Sequence, residues 1–125
     1  SSVEDFSISE KKVTCWKDSY SISDGTSNDI GTLVQSTKIK VTGKIKNNSR
    51  KRAKVHLAVS LLDKSDASAS VLLWTDSFWE PTDSYIAPGA TKNLIKVFKE
   101  HVYLHKTICE PATHHQFVVT DIENA

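Results

Sequence analysis

The clearest pattern in the chain is a strict alternation of apolar and polar residues over positions 38–46. The residues on one side of the alternation are Ile39, Val41, Gly43 and Ile45. The residues on the other side are Lys38, Lys40, Thr42, Lys44 and Lys46. A period of two residues is typical of a β-strand with one face buried and one face in water.

A second alternating run follows after the polar, turn-forming segment "NNSRKR". The apolar members of this run are Val55, Leu57, Val59 and Leu61. Two such runs joined by a short polar segment predict a hairpin of residues 38–46 with residues 55–62. The next turn is predicted around residues 63–68.

The rest of the chain also divides into short strands separated by turn signals. "ASVLLWTDSFWE" is rich in β-branched and aromatic residues and is stopped by Pro81, and Pro88-Gly89 opens a further strand. "QFVVTDI" reads as a last strand, and "KKVTCWKDSYSIS" and "GTLVQS" flank a loop near the start. The pattern predicts an all-β, antiparallel sandwich of about six to eight strands as one domain over residues 1–125. A short helix near 94–106 is the alternative for that region, because its apolar spacing suits both structures.

Composition adds limits to this picture. The chain has 38% hydrophobic residues, a formal net charge of +1 and no methionine. A sheet protein of this length folds without a metal or cofactor, and we expect none. The missing initiator methionine indicates a processed mature form or an excised domain. No apolar run is long enough to span a membrane, so membrane contact is expected only through a removed leader or a lipid anchor.

The two cysteines, Cys15 and Cys109, lie near opposite ends of the chain and belong to no CxxC pair. A bridge between them would stabilise the fold by roughly 4–5 kcal/mol in the chain-entropy model. Two unrelated buried thiols are the alternative. A disulfide would indicate an oxidising compartment.

Half of the cations of the chain fall within one short segment that contains no acidic residue. They are Lys38, Lys40, Lys44, Lys46, Arg50, Lys51, Arg52 and Lys54. Such a block can attract phosphate groups, anionic lipids or an acidic protein. The alternative is that these lysines are only the solvent-facing side of a strand, where they deter edge-to-edge pairing. Nucleic acid is disfavoured as a partner, since no aromatic residues are interleaved with the cations.

Histidines and tryptophans supply two weaker candidates. His101 and His105 are spaced for one face of a helix or strand within a histidine-rich segment, 101–115, and imidazole is a good zinc ligand. No known metal-site spacing is met, so scattered surface histidines are the alternative. Trp74 and Trp79 could form an aromatic surface for a sugar or peptide, against the alternative that they pack in the core.

A family resemblance emerges from three short motifs. They are Gly43-x-Ile45-x-Asn47, Val59-Ser60-Leu61-Leu62-Asp63 and Pro88-Gly89. Over residues 38–99 the chain resembles FxLYD-type domains, with Val59 in place of the usual Phe and Leu62 in place of the usual Tyr. The resemblance implies an immunoglobulin-like sandwich in a secreted or membrane-anchored bacterial protein, and it implies no catalytic residues.

The sequence thus predicts a non-enzymatic, extracytoplasmic interaction or structural module of a bacterial envelope protein or lipoprotein, with a protein partner. No nucleophile-elbow, zinc-protease, phosphate-loop or dinucleotide motif is found in it. An anion-binding module using residues 38–54 is the second hypothesis. A metal-binding protein using the 101–115 histidines is the third.

Overall fold

The computed structural model of the chain describes residues 2–22, 32–63, 71–101, 109 and 112–125. Over these residues the chain forms a short 3-10 helix, Val3–Asp5, and then strands only. The strands are β1 (Phe6–Ile22), β2 (Thr32–Asn47), β3 (Ala53–Leu62), β4 (Leu72–Glu80), β5 (Thr91–His101) and β6 (His114–Asn124). No helix in this part of the chain is long and apolar enough to cross a membrane.

The strands form two antiparallel, three-stranded sheets. The first sheet has the order β1-β2-β5, and the second has the order β4-β3-β6. The predicted all-β sandwich is therefore confirmed, with six strands among the described residues. The alternation of apolar and polar residues was sufficient for this prediction, because the apolar face of each sheet must be covered by a second sheet.

The predicted hairpin of 38–46 with 55–62 is wrong. β2 pairs with β1 and β5, whereas β3 pairs with β4 and β6, so the two runs lie in different sheets. Residues 48–52 cross from one sheet to the other instead of reversing within a sheet. The crossing lets both apolar faces meet in the core between the sheets.

The alternation itself is confirmed on both strands. In β2 the side chains of Ile39, Val41 and Ile45 are fully buried, and in β3 those of Val55 and Leu57 are too. The remaining core members include Phe6, Val59, Leu61, Trp74, Phe78, Ile86 and Leu94. At the end of β3 the pairing with β4 shifts between Leu61 and Leu62, with Leu73 as the extra residue on β4, and both leucines are buried.

The turn signals around β4 and β5 act as predicted. β4 ends directly before Pro81, and Gly89 has the positive φ of 75° that the turn before β5 requires. The helix considered for 94–106 does not form over the described part of that range. Residues up to His101 belong to β5 and pair with β2 along its length, and that ladder outweighs the helical spacing. Residues 102–106 lie outside the described residues.

Cys15 and Cys109 form a disulfide, with an S–S distance of 2.02 Å and a Cα–Cα distance of 5.3 Å. The expected bridge is therefore confirmed, and the alternative of two separate thiols is excluded. Cys15 is on β1, opposite Ile39 of β2, and packs against the core. The bridge ties the connection between β5 and β6 to the first sheet.

Candidate anion-binding face

The row of lysines on β2 lies on the outward side of the first sheet. β2 is the central strand of this sheet, so the row has neighbours on both sides. On one side, the row is flanked by the outward residues of β1 between Ser7 and Trp16. On the other side, it is flanked by the outward residues of β5 between Thr91 and Lys99. We call these outward positions of β1, β2 and β5 the lysine face.

The lysine face carries a concentration of positive charge. Its lysines are Lys12, Lys38, Lys40, Lys44, Lys46 and Lys99. None of the outward positions within these registered segments holds an acidic residue. A carboxylate reaches the face from the β-bulge of β1, where Glu10 Oε2 lies 3.1 Å from Lys44 Nζ. The geometry can therefore attract an anion over several adjacent positions.

Exposed apolar side chains share this face with the lysines. Ile95 and Val97 of β5 are 67% and 53% exposed, and they lie opposite Thr42 and Lys40 of β2. Trp16 of β1 is 37% exposed at the other margin of the sheet. Sequence reasoning missed this group. The doublets Leu94-Ile95 and Val97-Phe98 are apolar in both possible strand phases, and only pairing with β2 shows which members face outward.

The remaining cations of the predicted block lie outside the strand positions that form the lysine face. Arg50, Lys51 and Arg52 are exposed in the segment that crosses between the sheets. Lys54 is on β3 in the second sheet, where its Nζ lies 2.9 Å from Glu123 Oε2. The hydrogen bond from Lys54 to Glu123 raises the pKa of the lysine above its usual value. The structure thus divides the block of residues 38–54 among three surfaces.

The interpretation of the lysines as edge protection is wrong for β2. That interpretation requires an edge strand, and β2 is hydrogen-bonded on both sides. The four lysines of β2 instead lie on the solvent-facing side of a central strand, as the alternation of apolar and polar residues predicts.

The two predicted surface tryptophans lie in different environments. Trp74 is buried in the core, where its indole N–H donates to Glu100 Oε1 at 3.2 Å and its ring packs against Phe98 at 5.1 Å. It cannot contribute to a surface. Trp79 is half-buried on the outward side of the second sheet, 5.0 Å from the ring of His56. Trp74 and Trp79 therefore do not form one aromatic surface.

The predicted metal site falls outside what the structure describes. His105 and the side chain of His101 belong to the part of the chain left undescribed, and Cys109 is engaged in the disulfide. Among the described residues no group of three or more His, Cys, Asp or Glu side chains is arranged to hold a metal ion.

A shallow groove of about 300 Å³ opens between β1 and β6. Its apolar lining includes Phe6 and Ile8 from β1 and Phe117 and Val119 from β6. None of the site residues predicted from the sequence lines this groove. The lysine face differs from this groove in combining several cations with exposed apolar side chains.

A scan of the sequence against protein-family models found no match, and searches of curated proteins and of solved structures returned no similar protein.

Proposed function

We propose that this protein is a non-enzymatic, extracytoplasmic interaction module that binds an acidic partner through the lysine face. The observation that carries the proposal is the alignment of the β2 lysines, flanked by Lys12 and Lys99, on one flat side of a sheet. A row of cations on one side of a sheet creates a local positive potential, and that potential favours the binding of an anionic partner.

The extracytoplasmic location is supported by the Cys15–Cys109 disulfide, since such bonds persist in oxidising compartments. The resemblance to FxLYD-type domains supports an envelope protein or lipoprotein. The motif residues of that resemblance cooperate physically in this fold. Asn47 accepts a backbone hydrogen bond from Gly89 at 2.7 Å, and Asp63 Oδ1 accepts one from the Val71 amide at 2.7 Å.

Binding of sodium poly-L-glutamate at low and high salt tests the charge of the face. We expect the wild-type protein to bind at 50 mM NaCl and to lose affinity at higher ionic strength, because exposed charges are screened. The variant Lys40→Glu/Lys44→Glu/Lys46→Glu should bind at least about tenfold more weakly. Each exposed contact in water contributes on the order of 1 kcal/mol, and three are reversed.

A matched control separates the face from the net charge. The variant Arg50→Glu/Lys51→Glu/Arg52→Glu changes the charge by the same amount on exposed residues outside the lysine face. It should retain affinity within about threefold, with both variants checked for folding by circular dichroism. Equal weakening in the two variants, or a wild-type protein that does not bind at low salt, would overturn the proposal.

A further inference from the structure

We propose that the acidic partner of the lysine face is the headgroup layer of an anionic lipid bilayer, with Ile95 and Val97 inserted beneath the headgroups. This inference rests on the proposed function and names the partner of the same site. It assigns a peripheral membrane contact to the folded domain itself, separate from any leader or lipid anchor.

The first argument is the combination of charge with exposed aliphatic side chains. Ile95 and Val97 are more than half exposed on the outward side of β5, and Lys40 lies directly opposite Val97. The surface of an anionic bilayer offers anionic headgroups to the lysines and, at greater depth, hydrocarbon to Ile95 and Val97. Lysine can extend its ammonium group to the headgroups while its methylene stem stays beside the aliphatic side chains.

The second argument is the position of Trp16. This side chain is on β1, opposite Lys38, so it lies across the lysine row from the aliphatic pair. Tryptophan is enriched at the membrane–water boundary, because its ring is apolar and its N–H is polar. A sheet lying flat on a bilayer would place Trp16 and the aliphatic pair at its two margins, with the lysines of β2 between them.

The third argument concerns the type of cation. Within the registered segments every cation of the lysine face is a lysine and none is an arginine. Protein–protein interfaces are enriched in arginine and depleted in lysine, since arginine forms planar, paired hydrogen bonds. Clusters of lysines instead suit a fluid layer of anionic headgroups, which needs no fixed pairing geometry. The composition of the face therefore favours a lipid surface over an acidic protein.

Co-sedimentation with vesicles tests this inference. We expect the wild-type protein to partition onto vesicles of 70% phosphatidylcholine and 30% phosphatidylglycerol at 100 mM NaCl and not onto pure phosphatidylcholine. The variant Ile95→Thr/Val97→Thr keeps β-branched side chains in the strand but removes apolar surface. It should partition about tenfold more weakly, while its affinity for poly-L-glutamate stays within about twofold.

The matched control is Val71→Thr/Leu72→Thr, which alters two apolar residues that are 57% and 56% exposed at the start of β4. This control should partition like the wild type. Vesicles with brominated acyl chains give a second readout that leaves Ile95 and Val97 unchanged. Quenching of tryptophan fluorescence should fall in Trp16→Phe, because Trp74 is in the core and Trp79 is on the other sheet.

The outcomes separate this inference from the proposed function. Binding to poly-L-glutamate without partitioning onto anionic vesicles would overturn the lipid assignment, return the partner to an acidic protein and leave the proposed function standing. A protein that neither binds poly-L-glutamate nor partitions onto anionic vesicles would overturn the lipid assignment and the proposed function together. Equal partitioning of wild type and Ile95→Thr/Val97→Thr, or quenching that Trp16→Phe does not change, would also contradict the insertion of this face.

Discussion

Asn47, the last residue of β2, has a fully buried side chain whose polar atoms all find partners within the protein. Its Nδ2 donates to the carbonyl oxygens of Lys51 and Ile86, each at 2.8 Å. Its Oδ1 accepts from the amide and the hydroxyl of Ser49, at 2.8 and 2.7 Å. One amide group thus fixes the crossing to β3 and joins it to the segment that precedes β5.

Replacing Asn47 by alanine should lower the free energy of unfolding by about 2–4 kcal/mol, because the substitution removes four hydrogen bonds of a fully buried amide and leaves a cavity in its place. Asn47→Asp should also be destabilising, since a carboxylate of the same shape would face two carbonyl oxygens. Urea unfolding measures both effects.

The neighbouring Asn48 offers the matched control for this substitution. Its side chain is exposed, and its Nδ2 lies 3.3 Å from Ser7 Oγ. Asn48→Ala should cost less than about 0.5 kcal/mol, as expected for a surface position. If Asn47→Ala and Asn48→Ala lowered the free energy of unfolding equally, the buried amide of Asn47 would not be what fixes the crossing to β3.

Among the strands, β4 and β5 show how open sheet edges can be protected by charge. Each is an edge strand, and they face each other across the core, where Phe98 of β5 packs against Phe78 of β4 at 5.6 Å. Near this contact, Glu80 of β4 interacts electrostatically with Lys92 and Lys96 of β5. Charged residues on the inward side of edge strands oppose pairing with a further strand.

The burial of Glu80 gives this edge a pH dependence. Burial raises the pKa of the Glu80 carboxyl above its usual value, although Lys92 and Lys96 act in the opposite direction. A carboxyl with a raised pKa binds more protons in the folded than in the unfolded state. Stability is therefore lost as the pH rises from the unfolded pKa through the folded one.

We predict that Glu80→Gln stabilises the protein modestly at pH 7 and has little effect at a pH below both pKa values, where the native carboxyl is already neutral. Thermal unfolding of the two proteins from pH 3.5 to 7.5 measures the difference. Glu4→Gln, at an exposed position, controls for the loss of one negative charge. A Glu80→Gln variant less stable than the wild type at pH 7 would show that the two lysines outweigh the cost of burial.

Strand periodicity was sufficient to predict most elements but not their partners. The alternation around Ile39 and Val55 predicts buried faces in either topology, since a return within one sheet and a crossing between sheets use the same turn chemistry. The crossing depends on contacts distant in sequence, such as the hydrogen bond from Asn47 to Ile86, which is 39 residues away. The same limit applies to the candidate site. The lysines of β2 were predicted from the sequence, whereas only the register between β2 and β5 shows that Ile95 and Val97 lie on the same face.

At the scale of the molecule, three of the connections between the six described strands lead from one sheet to the other. Residues 48–52 lead from β2 to β3, residues 81–90 from β4 to β5, and residues 102–113 from β5 to β6. Cys109 lies within the last of these and is bonded to Cys15 on β1. The bridge therefore links β1 of the first sheet to the connection that leads into β6 of the second sheet.

Loss of this bridge should lower the free energy of unfolding by roughly 4–5 kcal/mol, because the cross-link spans a sequence separation of 94 residues and restricts the unfolded chain. Urea unfolding of the variant Cys15→Ala/Cys109→Ala and of the reduced wild-type protein measures the loss. The reduced protein keeps both sulfur atoms, so it separates the effect of the cross-link from the packing of Cys15 against the core.

The alanine variant and the reduced protein should also show a steeper dependence of the unfolding free energy on urea concentration, since an unfolded chain without the cross-link exposes more surface. If the reduced protein lost less than about 1 kcal/mol while the alanine variant lost much more, the sulfur atoms would stabilise the fold by packing, and restriction of the unfolded chain would not be the cause.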